Sequence, residues 1–354
     1  MKGYLVLENG RVFEGKLLND CSMANGEVVF STAMISYQDI ITDPSYFGQI
    51  VVMTYPLVGN VGFNEKSFSS RLAMVKGLVL REATDFPSHY EMEMDLISFL
   101  NESEIPVLTE VDTRALTKFI RSEGIMGGII THNIDNKKRL INQAKKASEE
   151  LTGDLVRYVT RKNVMKYSSG QKRIVLLDLG TKRGALESLI KRGLEIIAVP
   201  ATYELEDIMS LKPEGVFISD GPGDPEAIKS VIETTRDLIG KLPIFGVGLG
   251  HQVLALALGA KTFKLAYGHR GTNHPVKDLS NNRVYITTQN HGYAVLESSI
   301  NHSELEITLR SLNDNSLEGI KHKNLPVFSV QFDPEGFPGY SETGFFYDKF
   351  VELL

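Results

Sequence analysis

The sequence has a single cysteine, Cys21, so no disulfide can form within the chain, and a reducing cytoplasm is the expected compartment. No apolar run comes near the roughly 20 residues that span a bilayer. There is no block of like charges and no basic stripe, and the formal net charge is −6, which argues against nucleic acid and membrane as partners. Internal repeats and low-complexity tracts are absent as well. The opening Met1–Gly10 is expected to be a strand entering a two-residue Asn9-Gly10 hairpin turn, and not a signal peptide. What remains is an ordinary globular composition, 42% hydrophobic and 23% charged over 354 residues, long enough for two domains with substantial cores.

The two halves of the chain follow different patterns. Gly3–Leu7, Arg11–Phe13, Glu27–Phe30 and Gln49–Tyr55 are predicted strands separated by turn residues. Thr113–Ser122 has helical spacing, with Leu116, Phe119 and Ile120 on one face and Gly124 as a stop. The polar stretch between Thr160 and Lys172 has no period and is read as a linker. Beyond it, predicted strands Ile174–Leu177, Glu195–Val199, Gly215–Ser219 and Pro243–Val247 alternate with predicted helices Arg183–Lys191, Tyr203–Leu211, Ala227–Leu238 and His251–Leu258. Alternating apolar strands and helices imply an α/β fold with a doubly wound parallel sheet. The predicted organisation is a β-rich α+β domain over 1–160, a linker over 161–171 and the α/β domain over 172–354.

The most informative absence is a side chain. Pro243-Ile244-Phe245-Gly246-Val247-Gly248-Leu249-Gly250-His251-Gln252 runs from an apolar strand through alternating glycines into a helix. That is the layout of a nucleophile elbow, a sharp strand-to-helix turn that lifts one side chain into a pocket. Gly246 and Gly250 let strand and helix approach closely. The middle position of such a turn carries Ser or Cys, and here it is Gly248.

Three other segments fall beside this turn in a parallel α/β sheet. Asp220-Gly221-Pro222-Gly223-Asp224-Pro225 is by itself a tight turn, and next to the elbow it is also a candidate oxyanion hole made of backbone N–H groups. Gln289-Asn290-His291-Gly292-Tyr293, after the β-rich Arg283–Thr288, is a third candidate piece of the site or a polar turn and nothing more. Val327–Phe332 is an apolar strand ending in Asp333-Pro334-Glu335, either a solvated strand end or a pair of site carboxylates.

Together these segments resemble the small, glutamine-hydrolysing subunit family of carbamoyl phosphate synthetase, over nearly all 354 residues. The C-terminal half is similar to class I (triad) glutamine amidotransferases through Gly246-x-Gly248-Leu249-Gly250-His251-Gln252 and Gly268-His269-Arg270-Gly271-x-Asn273-His274-Pro275. The N-terminal half narrows the match through Thr42-Asp43-Pro44-Ser45-Tyr46, Thr54-Tyr55-Pro56-Leu57-Val58-Gly59-Asn60 and Val111-Asp112-Thr113-Arg114-Ala115-Leu116-Thr117. Ile35-Ser36-Tyr37-Gln38-Asp39 departs from the family's Thr-Gly-Tyr-Gln-Glu.

The resemblance implies a cysteine nucleophile at 248, a histidine base at 333 and an orienting glutamate at 335; the chain has Gly248, Asp333 and Glu335. It implies glutamine binding by Ser45, Gly221, Gly223, Leu249, Gln252, Asn290, Gly292 and Tyr293, with the amides of Gly223 and Leu249 as oxyanion donors. Asp220 stands where the family usually has Asn. The implied partners are L-glutamine and a large subunit, which holds the ATP and magnesium; no cofactor and no metal are expected in this chain. The carbamoyl phosphate would serve arginine or pyrimidine synthesis.

Nothing else in the sequence restores the chemistry. Cys21 sits in the other half beside Asp20, whose charge disfavours a thiolate. His251 enters a helix and reads as structural. An unpaired Asp, near pKa 4, is a poor base for amide hydrolysis at neutral pH. The sequence therefore predicts a small subunit whose glutaminase step is lost, with a non-catalytic glutamine-binding or scaffold protein as the alternative.

Overall fold

A computed structural model describes residues 1–19, 23–84, 86–336 and 341–354, which leaves Cys21 outside the described residues. The chain divides into two compact units, Met1–Gly153 and Asp154–Leu354. No helix among the described residues is long and apolar enough to cross a membrane.

In the first unit a barrel closes through Lys2–Leu7, Val12–Leu17, Val107–Thr109, Gly77–Val79, Gln49–Met53, Met23–Ser31 and Met126–Thr131. Pairing is parallel from Met23–Ser31 through to Val107–Thr109 and antiparallel around Lys2–Leu7. The parallel strands are apolar at consecutive positions because both faces are covered: Val28, Val29, Ile50, Val51 and Val52 are fully buried. The first hairpin differs from the two-residue turn expected. Val6 pairs with Val12 and the Leu7 amide donates to Arg11 O, so Glu8-Asn9-Gly10 forms the loop. Gly10, at φ 87°, supplies the left-handed residue that a three-residue loop needs.

The helix Thr113–Glu123 begins where the Asp112 carboxylate accepts from the Ala115 amide. It buries Leu116 and Ile120 and ends at Gly124, whose φ is 89°. Ser36 sits at φ 67° before the helix Tyr37–Thr42. The left-handed region costs a residue with a Cβ about 1–2 kcal/mol, so serine is strained where glycine is not.

In the second unit, Leu194–Pro200, Lys172–Asp178, Gly215–Ile218, Ile244–Val247 and Val327–Val330 lie side by side and parallel. Successive residues point to opposite faces. Ile174 and Leu176 pack against Leu189, Phe346 and Phe350, while Val175 and Leu177 pack against Val231, Val253 and Leu254. Helices thus cover both faces of the parallel strands. The sheet continues antiparallel through Leu317–His322, Val284–Val295, Thr262–Asp278 and Leu305–Ser311. At its other edge Met165–Lys166, inside the stretch read as a linker, pairs with Ile197 and Ala198.

The elbow closes because two side chains are missing. A Cβ on Gly246 would meet Gly250 O at 2.5 Å, and one on Gly250 would lie 2.8 Å from the Ile218 carbonyl carbon. Both obstacles are backbone, which cannot swing aside. The Gly250 amide also donates to Ser219 O at 3.1 Å, fixing the helix start to the neighbouring strand end. Gly250→Ala is therefore expected to destabilise the protein by about 1–3 kcal/mol through overpacking. Urea unfolding is the check, and an unchanged midpoint would show that helix and strand are free to separate.

Candidate functional site

Four strand ends converge at the carboxyl edge of the parallel sheet, where ligands bind in open α/β folds. Ile244–Val247 leads to Gly248, Gly215–Ile218 to Asp220, Lys172–Asp178 to Lys182, and Val327–Val330 to Asp333. Gly248 caps the helix Leu249–Ala257 with φ 57° and ψ −115°, and its amide donates to Val330 O at 3.0 Å. A Cβ built on it would overlap the Asp220 carboxylate.

That carboxylate is held from two sides. Asp220 Oδ1 accepts from the Leu249 amide at 2.9 Å, and Asp220 Oδ2 faces Lys182 Nζ at 3.4 Å. Lys182 Nζ also contacts Asp333 Oδ1 at 2.5 Å. All three charged side chains are buried. A buried cation between two carboxylates repays its desolvation only in close geometry such as this. Lys182 was not among the residues picked out from the sequence. Its signal was position: it follows Asp178 at the carboxyl end of a core strand and precedes the helix Arg183–Lys191.

Glu335 points elsewhere. Its Oε2 accepts from Tyr347 Oη at 2.7 Å, and its Cγ lies 3.0 Å from where a Cβ on Gly184 would be. Burial, and then the Glu335 charge, push the Tyr347 hydroxyl well above its usual pKa. His251 is fully buried, with Nδ1 against Ser329 Oγ at 2.8 Å, and burial lowers its pKa to about 3. It is a neutral structural group.

The other expected ligand positions divide between the units. In the second unit the Gln252 amide donates to Tyr293 O at 2.8 Å and to Gln331 Oε1 at 2.9 Å, tying the elbow helix to the segment that carries Asn290, Gly292 and Tyr293. Gly223 takes φ 93°, and a Cβ on Gly221 would overlap Leu179 O, so both positions in that loop require glycine. Ser45 lies in the first unit, buried, with its hydroxyl donating to Asp43 Oδ1 at 2.5 Å.

Beside this edge is a polar network around the buried His269 that the sequence marked only as a motif. His269 Nε2 contacts Asp314 Oδ2 at 2.9 Å, and its Nδ1 contacts Gln289 Oε1 at 3.1 Å and Glu318 Oε1 at 3.4 Å. Burial alone would lower the His269 pKa, but the two carboxylates outweigh it and raise it to about 9. Asp314 is correspondingly held below the usual carboxylate range, whereas burial pushes Glu318 up. His274 is lowered to about 4 by burial and by the His269 charge. Ligand atoms of His269, His291 and Glu318 fall within 4.8 Å of one another, and the His269 imidazolium already supplies positive charge there.

Comparison with known proteins gives this geometry a family. Residues 5–130 match the model for the carbamoyl-phosphate synthase small chain, CPSase domain, and residues 175–353 match class-I glutamine amidotransferase. The chain belongs to the carbamoyl-phosphate synthase small-chain family. It is 46% identical over 354 residues to the carbamoyl phosphate synthase small chain of Caldanaerobacter subterraneus, covering 100% of this chain and 97% of that one. It is 44% identical to the pyrimidine-specific small chain of Bacillus subtilis, covering 100% and 96%. To the small chain of Listeria monocytogenes it is 45% identical, covering 100% and 97%.

In this small chain Gly248 holds a backbone geometry that costs a side chain about 1–3 kcal/mol, in space the Asp220 carboxylate already fills. Gly248→Ala and Gly248→Cys are expected to lower the melting temperature, and a raised or unchanged value would show that the turn relaxes.

The histidines also set a pH optimum for stability. Folded His251 and His274 refuse protons that the unfolded chain accepts below the ordinary value of 6.5, so stability falls on acidification from there. Folded His269 keeps its proton up to about 9, so its contribution is present below 6.5 and lost between 6.5 and 9. Each histidine acts with a slope of up to about 1.4 kcal/mol per pH unit. Melting temperature is expected to peak near pH 6.5 and to decline less steeply on the alkaline side in His269→Gln. A curve still rising from pH 7 to 9 would contradict this assignment.

Proposed function

We propose that this chain is a glutaminase-silent small subunit, which docks on a carbamoyl phosphate synthetase large subunit and supports synthesis of carbamoyl phosphate from free ammonium. Its product serves arginine or pyrimidine synthesis, and the ATP and magnesium chemistry belongs to the large subunit. The observation that carries this reading is the elbow itself, where Gly248 presents backbone and no side chain.

Hydrolysis of a carboxamide needs a nucleophile, a group that takes and returns its proton, and donors for the developing oxyanion. Gly248 provides no nucleophile. Asp333, at the position that the family resemblance gives to the base, is engaged by the Lys182 ammonium at 2.5 Å, which stabilises its charged, proton-free form. Glu335 is directed to Tyr347 and orients no imidazole at 333.

Magnitudes weigh against useful residual activity. In a triad enzyme, loss of the nucleophile or its base costs roughly 10⁶ in rate, and further losses add little. Oxyanion donors and binding alone leave about 10³–10⁴ over the uncatalysed reaction.

The test is carbamoyl phosphate formation by this chain with its large subunit, comparing L-glutamine with ammonium as nitrogen donor. Synthesis from ammonium alone is expected. Comparable synthesis from glutamine would overturn the proposal, since it requires a nucleophile other than residue 248. Gly248→Cys by itself is expected to stay inactive with glutamine, because the base is missing too; family-like rates from that single change would remove Asp333 from the argument.

A further inference from the structure

The Leu249 amide follows the elbow residue and heads the helix Leu249–Ala257. In catalysts built on this turn, the amide in that place is aimed at the developing oxyanion. Here its partner is a side chain of the protein, Asp220 Oδ1, at 2.9 Å. The same carboxylate fills the space into which a side chain at 248 would project. Its other oxygen is 3.4 Å from Lys182, which Asp333 holds from the far side at 2.5 Å.

We propose that the Asp220 carboxylate is a built-in occupant of this pocket, lodged where a primary carboxamide would present its carbonyl oxygen, so that the site excludes L-glutamine. This rests on the reading of the site as a vacated amidotransferase centre and adds to it that the pocket is closed as well as disarmed. An ionised carboxylate accepts from an N–H about twice as strongly as a neutral carbonyl does. Asp220 is also tethered, so it escapes the translational and rotational cost that free glutamine meets on binding. Displacing it would leave a buried charge without its N–H donor, a penalty charged to the incoming ligand. Gly248 and Asp220 are then a matched pair: the carboxylate fits only because residue 248 has no Cβ.

The experiment measures L-glutamine binding to the full chain by calorimetry, unaltered and as Asp220→Ala. That change empties the Leu249 amide and leaves Lys182 paired with Asp333. Binding at least roughly tenfold tighter in the variant is expected, the size of one lost charge-assisted contact. Equal affinity in the two proteins, or no binding in either, would overturn the proposal.

If Asp220→Ala does not fold, Asp220→Asn keeps the shape and removes the charge, and a gain in affinity is again the expected result. The unaltered protein gives an independent reading through the Leu249 amide resonance in a 15N-labelled sample. Added L-glutamine is expected to leave it in place, and a saturable shift would sink the idea. A complex that uses only ammonium yet binds glutamine would refute this inference alone; synthesis from glutamine would refute the functional reading beneath it.

Discussion

The site in the second unit depends on how closely the helix Leu249–Ala257 approaches the strands that flank its own. Gly246 faces Gly250 O, and Gly250 faces the Ile218 carbonyl, with backbone on both sides of each contact. This close approach brings the Leu249 amide to the end of Gly215–Ile218, where Asp220 receives it. Without it there would be neither an elbow nor a place for the carboxylate. The constraint is steric and is set by backbone atoms.

Charge organises the strand ends around the elbow. Lys182 lies between Asp220 and Asp333, two carboxylates on different strand ends that would otherwise repel one another in a buried space. A cation shared in this way offsets the repulsion between the two acids and holds both in place. Three strand ends thus share one fixed electrostatic cluster.

The His269 network is a second case of polar groups satisfying one another inside the same unit. Asp314 and Glu318 hold a proton on His269, and burial, together with that charge, keeps the neighbouring His274 neutral. Arrangements of this kind fix orientation, because a misplaced ring would leave the buried Glu318 carboxylate without its partner. The Gln252 contacts to Tyr293 and Gln331 tie the elbow helix to the neighbouring strands.

The sequence by itself determined the family, the alternation of strands and helices after residue 172, and the glycine at the elbow. These are properties of pattern and residue type, and Gly248 has no side chain whatever surrounds it. It did not determine the barrel of the first unit, because closure depends on pairing between strands as distant as Lys2–Leu7 and Met126–Thr131. The three-residue loop at Gly10 likewise depended on cross-strand register, which the Asn-Gly dipeptide leaves open. Above all, the partners of Asp220 and Asp333 belong to tertiary structure. Lys182 lies 38 residues from one and 151 from the other in sequence, and only the parallel order of their strands brings the three charges together.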